Sequence, residues 1–186
     1  GVATGTIAST VAQTKTLNIA TPSGFTTVTG TVTFTGGSVS AANSTIVGTG
    51  SVTANGSSTS TVTITLRDGT NNPVPGVVQT FGATDTGTTN NYGVCSSSNA
   101  SGVSTCTLSS TYAEVKTLQI TSPVTKSDGT VTFTPGAASA ANSTIATSPS
   151  TGVTADGSAT STVTITLRDA NNNAVSGVTP TFASTG

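Results

Sequence analysis

The nine residues Ser60-Thr-Val-Thr-Ile-Thr-Leu-Arg-Asp68 return letter for letter at Ser161 to Asp169. Within each copy the apolar residues alternate strictly with polar ones. Side chains of an extended strand point to opposite faces in turn, so Val62, Ile64 and Leu66 share one face and Thr61, Thr63, Thr65 and Arg67 the other. A half-buried strand built from β-branched residues fits this pattern, and a helix does not. Val163, Ile165 and Leu167 repeat the buried face. The chain is therefore a repeated β architecture.

Other matches extend the repeat. Lys15-Thr-Leu-Asn-Ile19 corresponds to Lys116-Thr-Leu-Gln-Ile120, Gly30 to Thr35 corresponds to Gly129 to Thr134, and Ala41 to Ile46 corresponds to Ala140 to Ile145. The offset is 101 before a turn at 20–28 and 99 after it, a length difference that a loop absorbs most cheaply. The expected organisation is the back half of one copy over 1–37, a complete copy over 38–136 and the front half of another over 137–186. In the complete copy, strands are expected near 51–54, over 60–68, around Val77 and Phe81, around Cys106 and Leu108, at Leu118 and Ile120, and at Val131 and Phe133. The stretch 82–101 reads as polar and irregular. Short strands separated by Gly, Pro and Asn turns, in about 100 residues, predict an all-β fold of tandem immunoglobulin-like Greek-key sandwiches.

Composition limits the chemistry. Net charge is −1, only 6% of the 186 residues are charged, and Ser and Thr exceed a third of the chain. Five scattered cations cannot form the basic stripe that nucleic acid requires. No apolar run approaches the roughly 20 residues of a membrane helix. The absence of Met suggests a piece of a longer polypeptide. Without His, neither a Ser-His-Asp nor a Cys-His arrangement can be assembled, so no enzyme and no cofactor is expected.

Cys95 and Cys106 are the only cysteines. Two thiols are a poor zinc site, which usually has four ligands. A disulfide in an oxidising compartment is the expected reading, with two free buried thiols as the alternative. The residue matching Cys106 in the preceding copy is Gly5, so no orphan partner is left there.

Of the six carboxylates, Asp68 and Asp169 occupy one position in two copies, at a strand end before a turn. Backbone capping of that turn is the expected role. A weak oxygen cluster for calcium, using Asn71 and Asn72 or Asn171 to Asn173, is the alternative; calcium prefers six to eight oxygens. Lys15 and Lys116 read as solvated lysines at strand edges that discourage aggregation. Cross-linking of a buried lysine to Asn, assisted by Glu114, is the alternative. The Thr-rich faces read as strand surface rather than as glycan platforms, and Asn43-Ser-Thr45, Asn55-Gly-Ser57 and Asn142-Ser-Thr144 match the glycosylation pattern only formally.

Ser-Ala-Ala-Asn-Ser-Thr-Ile145, Ala155-Asp-Gly157 and Thr162-Val-Thr-Ile-Thr-Leu-Arg-Asp through Gly177 resemble the bacterial immunoglobulin-like repeats of invasin and intimin type, as does Asn99-Ala-Ser-Gly-Val-Ser-Thr-Cys-Thr-Leu108. The resemblance covers essentially the whole chain. It implies a structural spacer, stalk or fibre segment of an adhesin-like protein on the bacterial surface or secreted, with neighbouring repeats as partners. Complementary half copies would also allow head-to-tail assembly between chains by strand exchange. Two rivals remain: a carbohydrate- or receptor-binding module using 82–101 near Tyr92, and an accessory domain of a secreted hydrolase.

Overall fold

A computed structural model describes residues 1–20, 23 and 28–185. Twelve strands are present among them: β1 (Thr14–Asn18), β2 (Thr29–Thr33), β3 (Thr45–Gly48), β4 (Ser51–Thr53), β5 (Ser60–Thr65), β6 (Thr80–Ala83), β7 (Asn90–Tyr92), β8 (Val103–Ser110), β9 (Val115–Ser122), β10 (Lys126–Thr134), β11 (Thr144–Ser148) and β12 (Thr162–Thr166). Most of the length-changing turn at 20–28 lies outside the described residues.

The alternation in β5 does what the sequence requires. Val62, Ile64 and Leu66 are fully buried, while the threonines between them face outward or sit half-buried. The sheet containing β5 has the order β3-β5-β8-β7, and a second has the order β4-β10-β9-β6. Ile46, Cys106 and Leu108 from the first sheet and Leu118, Ile120, Val131 and Phe133 from the second complete one core. The chain crosses between the sheets after β5, β6 and β8, as in an immunoglobulin-like sandwich.

The first strand is split between sheets. β3 runs antiparallel to β5, whereas β4, three residues on, pairs in parallel with β10. Gly48 makes that swap possible, because a Cβ there would run into the Val131 side chain of the opposite sheet.

Within 38–136, two strands escape the sequence reading. β3 carries one deeply buried apolar residue, Ile46, ends in Gly48 and is followed by Gly50, so its letters do not read as a strand. β7 is Asn-Asn-Tyr, a polar edge strand inside the 82–101 stretch. Its order comes from pairing with β8, Asn90 with Ser110 and Tyr92 with Leu108, rather than from its own composition. Val77 and Phe81 pack, partly buried, against the core as expected.

The outer segments reuse the same registers. β1 and β2 pair Lys15 with Val32, as β9 and β10 pair Lys116 with Val131. β11 and β12 pair Ile145 with Ile165, as β3 and β5 pair Ile46 with Ile64. A second two-residue length difference falls between Ile46/Ile145 and Val52/Val153, where the split strand changes sheets.

Candidate functional site: the junction loops

Each copy of the repeated strand ends in an Asp, and the four residues after it close a tight loop. Asp68 Oδ1 accepts the Thr70 and Asn72 backbone N–H groups, at 2.9 and 2.8 Å, and the Thr70 hydroxyl. Asn71 lies at φ 68° and Asn172 at φ 67°, the left-handed region that Asn tolerates better than most residues. Arg67 Nη1 donates to Asn71 O, and Arg168 Nη1 to Asn172 O. The expected capping role is therefore present in both copies.

The same loop also reaches across the chain. Asp68 Oδ2 accepts the Gly37 N–H at 2.8 Å, and Asp169 Oδ2 accepts the Gly136 N–H at 2.9 Å. Asn72 Nδ2 donates to Thr10 O while its Oδ1 accepts the Ala12 N–H, both at 2.8 Å. Asn173 treats Thr111 O and Ala113 N identically, at 2.9 and 2.8 Å. A carboxamide bonded to both groups of a two-residue step imitates a neighbouring strand. From the other side, Asn43 Nδ2 donates to Asp68 O and Asn142 Nδ2 to Asp169 O. The two loops thus use one set of bonds. The second adds Asn171 Nδ2 donating to Ala54 O, at a position where the first loop has Thr70.

These donors hold the carboxylates ionised. The Gly37 N–H, then the Asn72 amide, keep Asp68 well below the usual carboxylate range. Burial opposes the charge on Asp169, but the Asn173 amide and the Gly136, Asn173 and Asn171 N–H groups outweigh it, and its pKa is also lowered. A carboxyl with a lowered folded-state pKa stabilises fully above its unfolded value, about 3.9, and loses that stabilisation as pH falls toward the folded value. Melting temperature should therefore stay flat from neutral pH to about 5 and fall below about 4, and the Asp68→Asn/Asp169→Asn variant should show a smaller acid-side drop. Equal slopes in calorimetry would remove the carboxylates from this role.

A carboxylate this fully occupied by N–H and O–H donors is poorly suited to calcium, which needs those lone pairs. No group of three or more Asp, Glu, Cys or His side chains comes together among the described residues.

Lys116 corrects the sequence reading. It is not a solvated edge lysine; its side chain is fully buried. Its Nζ lies 2.6 Å from Glu114 Oε1, 3.8 Å from Asp85 Oδ1 and 6.0 Å from the centre of the Phe133 ring. Alternation on β9 puts Lys116 on the same inward face as Leu118 and Ile120, and an acid two residues earlier satisfies it there. Burial raises and the Lys116 ammonium lowers the Glu114 pKa, the net direction being down. Asp85 is lowered too, with burial opposed by the Thr89 and Asn90 donors.

Cys95 and Cys106 form the disulfide. It ties the segment following β7 to β8, alongside the Gly93 N–H donating to Thr107 O and the Ser96 N–H donating to Thr105 O. Closing so short a loop restricts the unfolded chain, so reduction should lower stability by about 2–3 kcal/mol in the chain-entropy treatment. An unchanged urea midpoint after reduction would contradict this.

Next to the bridge, Val78, Phe81, Tyr92 and Val94 line a shallow groove of about 250 Å³. Tyr92 meets Phe81 edge to face, and its hydroxyl hydrogen-bonds the Ala83 backbone, which ties one side of the groove to β6. No helix among the described residues is long and apolar enough to cross a membrane. What sequence reasoning missed is the outward half of the junction loop. The available signal was the Asp-x-x-x-Asn spacing at 68–72 and 169–173; its partners, Thr10, Ala12 and Gly37, are unremarkable as letters.

The chain as a whole is similar to known proteins. The family model described as invasin, domain 3, matches residues 40–136 and again 139–186. Among solved structures, invasin, described as a bacterial integrin-binding protein, is 28% identical, with a TM-score of 0.61 over 82% of this chain and 31% of its own. InvD of Yersinia pseudotuberculosis is 21% identical, with a TM-score of 0.66 over 89% of this chain and 52% of its own. The Escherichia coli adhesin FdeC is 18% identical, with a TM-score of 0.63 over 89% and 53%. The chain thus spans about a third to a half of each of these three structures. No curated protein matches it.

Proposed function

The chain belongs to the invasin domain 3 family, and from that premise we propose that it is a spacer segment of a bacterial adhesin-like protein, exported to the cell surface, in which tandem repeats form a stiff stalk. The duplicated junction carries this reading: a flexible linker would not repeat Asp68–Gly37 and Asn72–Thr10/Ala12 as Asp169–Gly136 and Asn173–Thr111/Ala113. In this reading 1–37 is the back half of one repeat, 38–136 a whole repeat and 137–186 the front half of the next. The shared registers of β1–β2 with β9–β10 and of β11–β12 with β3–β5 support that division.

The test is reach. Cells displaying the parent protein with extra copies of 38–136 should hold its distal end further from the surface in proportion to copy number, with unchanged attachment per molecule. A distal end that does not move would contradict the spacer role.

Assembly between chains is a second reading with an observation of its own. Ile145 and Phe182 are each 62% exposed, whereas Ile46, the counterpart of Ile145, is fully buried. Strands from another repeat would cover them, whether in the same polypeptide or in another copy. Light scattering distinguishes these: a clean monomer of the 186-residue chain would rule out assembly between copies. Direct binding rests on the groove at 78–95, where Val78 is 72% and Val94 97% exposed. Binding on a glycan or receptor array that is lost in Val78→Ser/Val94→Ser would favour it.

A further inference from the structure

We propose that the 38–136 sandwich is a force-bearing unit, in which tension along the chain is resisted as shear between its split first strand, β3 and β4, and its partners β5 and β10. The inference is directional and follows from where the chain enters and leaves. It enters beside the Asp68 loop, where the Ser40 N–H donates to Arg67 O and Asn43 bonds Asp68 O. It leaves at Gly136, at the opposite end of the sandwich, beside Ala54 and the turn at Thr111.

β4 and β10 are parallel, Ser51 opposite Thr132 and Thr53 opposite Thr134, and both run toward the exit. Tension draws β3 and β4 back toward the entry and β10 forward through the exit. Parallel neighbours loaded at opposite ends slide past one another, so their hydrogen bonds must break together rather than one by one. Because β3 is bonded to β5 in one sheet and β4 to β10 in the other, extracting the first strand shears both sheets at once. The exit end is further secured. The Ala54 N–H donates to Thr134 O at 2.8 Å, and the next junction loop holds both strand ends, Asn171 on Ala54 O and Asp169 on the Gly136 N–H. The disulfide joins β8, the neighbour of β5, to the segment after β7 and cross-links neither β3 nor β4 to its partner, so it does not bypass the sheared ladders.

The biological use of this property rests on the spacer reading, but the property belongs to the chain itself. Single-molecule pulling of the 186-residue protein tests it with two handle placements and no change to any strand. Handles at the two termini load the sandwich in shear. Moving one handle from the N-terminus to Ser57, an exposed turn residue at the exit end, pulls β5 and β10 from the same end, so their ladders peel. The expected result is a drop in unfolding force of roughly threefold or more on moving the handle, since forced unfolding follows the barrier along the pulled direction. Equal forces in the two geometries would overturn the inference and leave the spacer role, tested by reach, standing.

Discussion

Glu114→Ala should destabilise the 38–136 sandwich by roughly 2–3 kcal/mol, while Lys116→Met should change its stability by less than about 1 kcal/mol. The asymmetry follows from burial. The Lys116 ammonium is fully enclosed and depends on Glu114 at 2.6 Å, with Asp85 further away at 3.8 Å. Removing the near carboxylate leaves a buried charge with little compensation. Replacing the lysine by a straight-chain apolar residue of similar volume removes that problem, and the two acids, each 23% exposed, can be hydrated. The expected loss is set below the 3–5 kcal/mol of a fully buried pair because the acids reach solvent. Urea unfolding of the two variants decides it; equal losses would mean that the ion pair itself, and not the stranded charge, is what matters.

Gly102→Ala is the second large effect, expected at about 3 kcal/mol or more. Gly102 lies at φ 77°, and an added Cβ would overlap Leu66 O and crowd Val74 N and the Cα of Pro73. These are backbone atoms just past β5 and in the segment that returns beside it after the Asp68 loop, and Gly102 O itself accepts the Leu66 N–H. Neither side can move without opening the ladder beside the Asp68 loop. Gly76 is the control. Its φ of 75° is nearly the same, but a Cβ there meets nothing, so Gly76→Ala should cost only about 1 kcal/mol. Similar losses at both positions would show that backbone strain, rather than the close approach, governs the site.

How much of this was legible depended on whether a residue's role was local. The period-two pattern of Val62, Ile64 and Leu66 identifies its strand without help, because burial of one face is a property of the strand itself. Asp68 as a turn cap was equally legible, since its partners Thr70 and Asn72 are close in sequence. Its hold on Gly37, and that of Asn72 on Thr10 and Ala12, was not, because backbone N–H and C=O groups carry no letter. β7 was missed for a related reason: an Asn-Asn-Tyr edge strand owes its order to β8. Lys116 was misread because a charged residue among strands suggests solvent. Yet its place two residues before Leu118, on the same face, was in the sequence, with Glu114 as the acid that permits burial.

In the proposed stalk, Asp169 and Asn173 hold successive repeats in one fixed relation. A distance distribution measured by pulsed spin resonance, between labels at the exposed and equivalent positions Thr61 and Thr162, reads that relation directly. One narrow peak is expected for the native chain, broadening in Asp169→Ala/Asn173→Ala while the melting of the 38–136 sandwich remains cooperative. A broad distribution in the native chain, or an unchanged narrow one in the variant, would contradict it.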